Sequence, residues 1–379
     1  MKYIFFIFFT LSLGACQLSQ DNQPSNPIIE LSNSLGQNSA MCQHISNDIN
    51  TAAIASEKCK WLSDYGLFEQ FTSAQITPRS NGIKYQLNSE LFTDFAKKDR
   101  FIFLPDNTSM TYQTNEIFEF PLNSVIVKVF SLPQVDTANI IEIRLLIKRA
   151  TGWIFLPYVW LEEKQDAFLY QNGVQITTSV VENEHTHPFE YHIPSHANCG
   201  ECHQIKDANA DIHFQPIGPK AHHLNKQIEH HGQYVNQLSL WQQQGYLTNL
   251  PDDLNLIDTA PNWKNESANL QDRAKAYLDI NCAHCHNENG SAALSGLRLE
   301  YWRKSITHAH GVCNSSHGWR GGGFDIWPGR GEISSIPIRM RHTDAKDRMP
   351  PIGRSLVDEQ AAQLISDWID SMPLENCAQ

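Results

Sequence analysis

The sequence predicts an α+β multidomain chain, with an N-terminal antiparallel β domain followed by mainly α-helical modules. Three patterns predict it. Ile141, Ile143, Leu145 and Ile147 alternate with Glu142, Arg144, Leu146 and Lys148, the period-two signature of a strand with one face in a core. Further along the period lengthens: Leu270, Ala274, Tyr277 and Leu278 recur at helical spacing, as do Ala361, Leu364, Ile365, Trp368 and Ile369. Between the two regimes stand two copies of the pentapeptide C-x-x-C-H. A length of 379 residues leaves room for two or three domains, and 41% hydrophobic residues suffice for their cores.

In chain order, Lys2 and the apolar run Tyr3 to Leu13 are too short to span a bilayer, which takes about 20 residues. They end in Leu13-Gly14-Ala15-Cys16, which resembles a bacterial lipoprotein signal over 1–15, with cleavage before Cys16 and lipidation of its thiol. Gln17 follows rather than an Asp, so the anchored chain is expected on the periplasmic side, at the outer membrane, held without a spanning helix. The plain alternative is an ordinary cleaved export signal. Residues 16–40 are rich in Ser, Asn and Gln and read as a flexible tether.

A β-rich domain is expected over 41–190. Trp61, Leu62, Tyr65, Phe68 and Phe71 predict a short helix near its start. Phe101 to Leu104, Val125 to Phe130, Trp153 to Leu156 and Tyr158 to Leu161 predict strands, divided by turn formers such as Pro105-Asp106-Asn107. Past Pro194 the composition turns to His, Asn and Gln. A first module is expected over 191–265, with a helix from Tyr234 to Tyr246 that buries Val235, Leu238 and Trp241. A second, over 266–379, carries the two helical stripes, with Asp358 placed to cap the last helix.

The pentapeptides Cys199-Gly200-Glu201-Cys202-His203 and Cys282-Ala283-His284-Cys285-His286 are attachment signatures for c-type haem. Two thiols add across the two vinyl groups of one porphyrin, and the next histidine binds the iron. Cys199, Cys202, Cys282 and Cys285 are thus expected to hold two covalently bound haem c groups, with His203 and His286 as proximal metal ligands. Zinc would use both cysteine pairs together and leave the two trailing histidines as coincidence. A thioredoxin-like dithiol wants a βαβ setting, whereas Cys282 ends a helical stripe.

A haem used for electron transfer takes a sixth ligand. For the second haem Met349, in Arg348-Met349-Pro350-Pro351, is the candidate, because class I cytochromes c present a methionine from a loop before the last helix. Met340 is its rival, with core packing as the plain alternative. The first haem is open between His213, His222, His223, His230, His231, Met340 and no protein ligand at all, in which case peroxide could enter. The glycine-rich stretch Gly321 to Gly331 suits close wrapping around a flat cofactor.

The remaining cysteines are Cys42, Cys59, Cys313 and Cys377, an even number suited to two disulfides in an oxidising compartment. Cys42 with Cys59 and Cys313 with Cys377 is the simplest of three pairings. A net charge of −12 disfavours nucleic acid as a ligand and suits a basic-surfaced redox partner protein, or solubility alone.

Longer stretches carry a family resemblance. Trp61 through Phe68, Tyr85-Gln86-Leu87-Asn88, Leu91-Phe92-Thr93-Asp94 and Phe120-Pro121 through Lys128-Val129-Phe130 resemble the opening of a bacterial family of exported dihaem c-type cytochromes with an N-terminal β region. Residues 273–286, Pro328-Gly329, Met349-Pro350 and Asp367-Trp368-Ile369 are similar to its closing half. The two helices that bracket the second pentapeptide also resemble the class I cytochrome c arrangement, which makes the expected modules cytochrome c-like. The resemblance implies single-electron transfer, often beside a parallel β-helix protein, whereas His222-His223 and Gly321-Gly322-Gly323 depart from the pattern. The runner-up expectations are a dihaem peroxidase-like enzyme with an open first haem, and a β domain that binds a ligand with the haems as reporters.

Overall fold

A computed structural model describes residues 38–43, 48–133, 138–182 and 185–377. The signal over 1–15, the lipidation site Cys16 and the tether as far as residue 37 lie outside the described residues. From Asn38 onward the chain packs as one unit, within which the stretches 41–190, 191–265 and 266–379 meet.

The opening Leu62–Tyr65 is one 3-10 turn rather than the expected helix, because Gly66 enters the left-handed region (φ 64°) and stops it. Phe68–Phe71 (β1) then pairs with Ile76–Pro78 (β2). The next strands are Gly82–Lys84 (β3), Lys97–Phe103 (β4), Met110–Thr111 (β5), Val125–Pro133 (β6), Ala138–Arg149 (β7), Gly152–Leu161 (β8) and Asp166–Leu169 (β9). Six of them form an antiparallel sheet in the order β3-β4-β6-β7-β8-β9. Both faces are covered, which is why β6 reads as an almost unbroken apolar run. Phe101, Val127, Leu145 and Leu156 face a core with Ile54, Leu62, Tyr65 and the disulfide Cys42–Cys59. Ile102, Ile126, Leu146 and Phe155 face a second core, shared with Ile217, Leu238, Trp241 and Ile280 from the C-terminal half.

The mainly α-helical, cytochrome c-like modules expected beyond residue 190 are not what forms. The β domain ends with Val174–Glu182 (β10) paired with His185–Ile193 (β11), and strands continue beyond it in small sheets: Gln204–Lys206 (β12) with Ile212–Phe214 (β13), and Gln227–His230 (β14) with Gln233–Asn236 (β15). Leu247–Thr248 (β16) pairs in parallel with β5. The helices among the described residues are short: Thr51–Ser56 (α1), His196–His203 (α2), Ala221–Leu224 (α3), Gln237–Gln243 (α4), Leu270–Leu278 (α5), Ser335–Arg341 (α6) and Glu359–Asp370 (α7). The reason is local. His231 and Gly232 take φ of 51° and 76°, the paired positive values of a two-residue hairpin, so the chain reverses where a helix was expected to begin. That helix starts only at Gln237, where the Asn236 side chain accepts from the Leu238 and Ser239 amides.

α5 and α7 form on their stripes and pack into a third core with Trp263, Leu297, Met340 and Trp368. Asp358 caps α7 by accepting from the Ala361 amide at 3.1 Å. A second disulfide, Cys313–Cys377, ties the chain's last described residue to the loops of this region.

Candidate functional site

The two pentapeptides are built differently and end up side by side. Cys199, Cys202 and His203 close α2, whose first turn is capped by Ser195. The second motif follows α5 through one π-helical turn, Asp279–Ala283, a local widening that re-aims the side chains after it. The segments touch: Glu201 O accepts from Ser291 Oγ at 2.6 Å and from Cys285 Sγ at 3.2 Å, and the Lys206 amide donates to Asn289 O at 2.9 Å.

Each motif lines its own cleft. The first, about 1130 Å³ with its mouth included, takes Cys199, Cys202 and His203 together with Leu87, Phe155, Ile217 and the sheet face. The second, about 930 Å³ on the same basis, takes Cys282, Cys285, His286, Met349, Pro350 and Pro351. Cys202, Asn281, His284, Pro350 and Ile352 line both. Both clefts have mostly apolar walls, as cofactor sites do.

The two trailing histidines are held as metal-binding imidazoles are held. His203 Nδ1 lies 2.8 Å from Gln215 O, and His286 Nδ1 lies 2.9 Å from Ser295 Oγ. An Nδ1–H given to an oxygen leaves Nε2 with its lone pair, the form that binds iron. Burial, reinforced by the charge of Lys128, holds His203 well below its ordinary value. Burial brings His286 down to about 4, so both rings are neutral at pH 7. Phe155 packs on the His203 ring at 4.4 Å between centroids. These residues fit a haem in each cleft: two thiols, an oriented neutral imidazole and an apolar wall.

Zinc is the other group to test. Ligand atoms of Cys202, His284 and Cys285 lie within 4.8 Å of one another, and contact with Cys285 pushes the Cys202 thiol well above its ordinary value. That cluster leaves out Cys199, Cys282, His203 and His286, so a metal there would account for less of the motif than two haems do.

Of the expected sixth ligands, Met349 stands in the second cleft, whereas Met340 is buried in the third core. None of the five histidines offered for the first haem lines the first cleft. His213 pairs with Asp207 at 2.9 Å, and His230 and His231 sit at a hairpin turn. His222 and His223 are buried and point their Nε2 atoms at one oxygen of Asp279, at 3.0 and 2.7 Å. The other oxygen accepts from the Tyr301 amide at 2.9 Å, with Lys220 Nζ at 3.8 Å. Burial works against the Asp279 charge, but Lys220 and the two histidines hold its carboxyl well below the usual range. Asp279 opens the π-helical turn that contains Cys282, so this network braces the second motif from the first region. Sequence reading missed it, since nothing in the spacing joins positions 222 and 279.

Arg354 was also missed. Buried, it donates to the carbonyls of Met340 (2.9 Å), His342 (2.9 Å), Met349 (3.0 Å) and Leu356 (3.0 Å), and so staples the loop that presents Met349. Compared with protein-family models, curated proteins and solved structures, the chain matches none.

Proposed function

We propose that this protein is an exported dihaem c-type cytochrome that passes single electrons between partner proteins. One observation carries the reading: the two C-x-x-C-H segments lie against one another, and each trailing histidine has its Nδ1 engaged and its Nε2 left for iron. Cys199, Cys202 and His203 would hold one haem, and Cys282, Cys285 and His286 the other, with Met349 as the sixth ligand of the second. Haem bound in this way supplies one-electron Fe(II)/Fe(III) chemistry. The chain's own part is to keep both imidazoles neutral and oriented, to line the clefts with apolar side chains and to set the two sites in contact. Adjacent sites suit a relay, in which an electron enters at one and leaves at the other. Acidic net charge supports basic redox partners, and the resemblance in sequence adds a parallel β-helix protein as a partner to test. A lipid at Cys16 would keep the relay at the periplasmic face of the outer membrane.

A second reading has one observation in its favour. No Met and none of the five candidate histidines lines the first cleft, where His284 is the one histidine besides His203, and a first iron that His284 does not bind would be open to a small ligand such as peroxide. Intact mass and low-temperature EPR on the exported protein, with a redox titration, decide between them. Two covalent haems, both low-spin, support the relay. A high-spin iron with peroxide turnover replaces it with the peroxidase-like enzyme, and a mass without haem ends both readings.

A further inference from the structure

One wall of the first cleft is a sheet face with an uneven distribution of charge. Arg100, Lys128 and Arg144 are direct cross-strand neighbours on β4, β6 and β7, and Lys98 shares their face two residues before Arg100. All four line the cleft, Arg354 lines it as well, and no Asp or Glu does. In a chain of net charge −12 this concentration of one sign runs against the composition.

The compensation is partial. Glu90 pairs with Arg100 at 2.9 Å, and the buried Glu142 pairs with Arg144. Lys98 donates to Ala96 O at 3.0 Å. Lys128 has no hydrogen-bond or ion-pair partner among the described residues. Four basic side chains on this wall meet two carboxylates, which pair with the two arginines and leave Lys98 and Lys128 without an acidic partner. Burial first, and neighbouring guanidinium charge second, push both lysines down to about 7.

We propose that this cationic row receives the two propionate carboxylates of the haem held by Cys199, Cys202 and His203, with Lys128 as a binding residue for that haem. The inference rests on the haem reading and extends it, because it makes the β-sheet a wall of the haem site rather than a separate module. A haem brings two carboxylates and a flat apolar body, and the wall offers two lysines without a carboxylate partner, which an added carboxylate would hold protonated, beside Leu146 and Phe155. Charge-assisted pairing of this kind is strong in an apolar surround.

The test uses the exported holoprotein in three forms: wild type, Lys128→Gln and Lys128→Arg. Intact mass first counts haems, and a wild type without covalent haem overturns the haem reading itself. With haem present, Lys128→Gln is expected to shift the propionate bending band in the resonance Raman spectrum. It is also expected to lower one of the two reduction potentials by about 59 mV, a tenfold loss in the preference for the reduced form. Lys128→Arg should restore both. Loss of one haem from Lys128→Gln, recovered in Lys128→Arg, supports the proposal equally. An unchanged band and potential would overturn it. A change of spin state in Lys128→Gln would do so too, by making Lys128 an iron ligand, as would a wild-type potential that follows added phosphate, by making the row a site for a free anion.

Discussion

Arg354 shows how one side chain can hold the backbone of the residue proposed as a ligand without contacting its sulfur's cleft. Its planar fork binds carbonyls on both sides of the Met349 loop, and a lysine ammonium cannot reproduce that spread. Arg354→Lys is expected to keep two haems per chain, weaken the sulfur-to-iron charge-transfer band and cost on the order of 3 kcal/mol in denaturant unfolding. Met349→Ala should abolish that band and lower the more positive potential by on the order of a hundred millivolts, a fraction of the ~0.8 V that axial ligands span. His223 supplies the pH prediction. Burial, then the charge of His222, brings it down from 6.5 to about 4, so between those values the folded chain holds fewer protons than the unfolded one. Its contribution is complete above pH 6.5 and is lost as pH falls toward 4. Thermal melts should show Tm dropping across that window, with a shallower slope in His223→Gln, whose amide still donates to Asp279. The motif cysteines and histidines were legible in the sequence, because their spacing is short and their chemistry specific. His222 and His223 were legible only as candidates, because their partner is 56 positions or more away.

The elements that sequence periodicity foretold best are the ones with a wide apolar stripe and a cap. α7 joins both, since Asp358 accepts from the Ala361 amide and also from the Tyr277 hydroxyl of α5 at 3.3 Å. Asp358→Ala is expected to lower stability by about 1 kcal/mol for the cap alone, with Asp358→Asn recovering most of it, read as Tm. The strands of the central sheet were equally plain: Ile141 to Lys148 alternates, and β6 is apolar on both sides because both faces are covered. The region from 204 to 236 was misjudged for a physical reason. Its hairpins are three or four residues a side, too short to establish a period, and turn conformations rather than apolar spacing direct the chain there. The stretch expected to be mainly helical therefore alternates short hairpins with single helices.

At the scale of the whole molecule, two crosslinks and one sheet organise what lies between them. Cys313–Cys377 closes 64 positions and Cys42–Cys59 closes 17. Loop closure in the unfolded chain makes the first worth about 4 kcal/mol and the second about 3. Paired Cys→Ser variants should rank in that order in urea unfolding monitored on the C-terminal tryptophans. The sheet does more than fill an N-terminal domain, because one face packs on the disulfide-bonded opening segment while the other lines the first cleft. Residue order was enough to name the thiols and imidazoles of each motif and to pair the spare cysteines in their simplest way, since these follow from short spacing and from parity. The fold was needed to set the two motifs in contact, to draw His222 and His223 away to Asp279, and to align Arg100, Lys128 and Arg144 on one wall. Those neighbours are brought together by strand register and packing across tens of residues, and no local pattern encodes them.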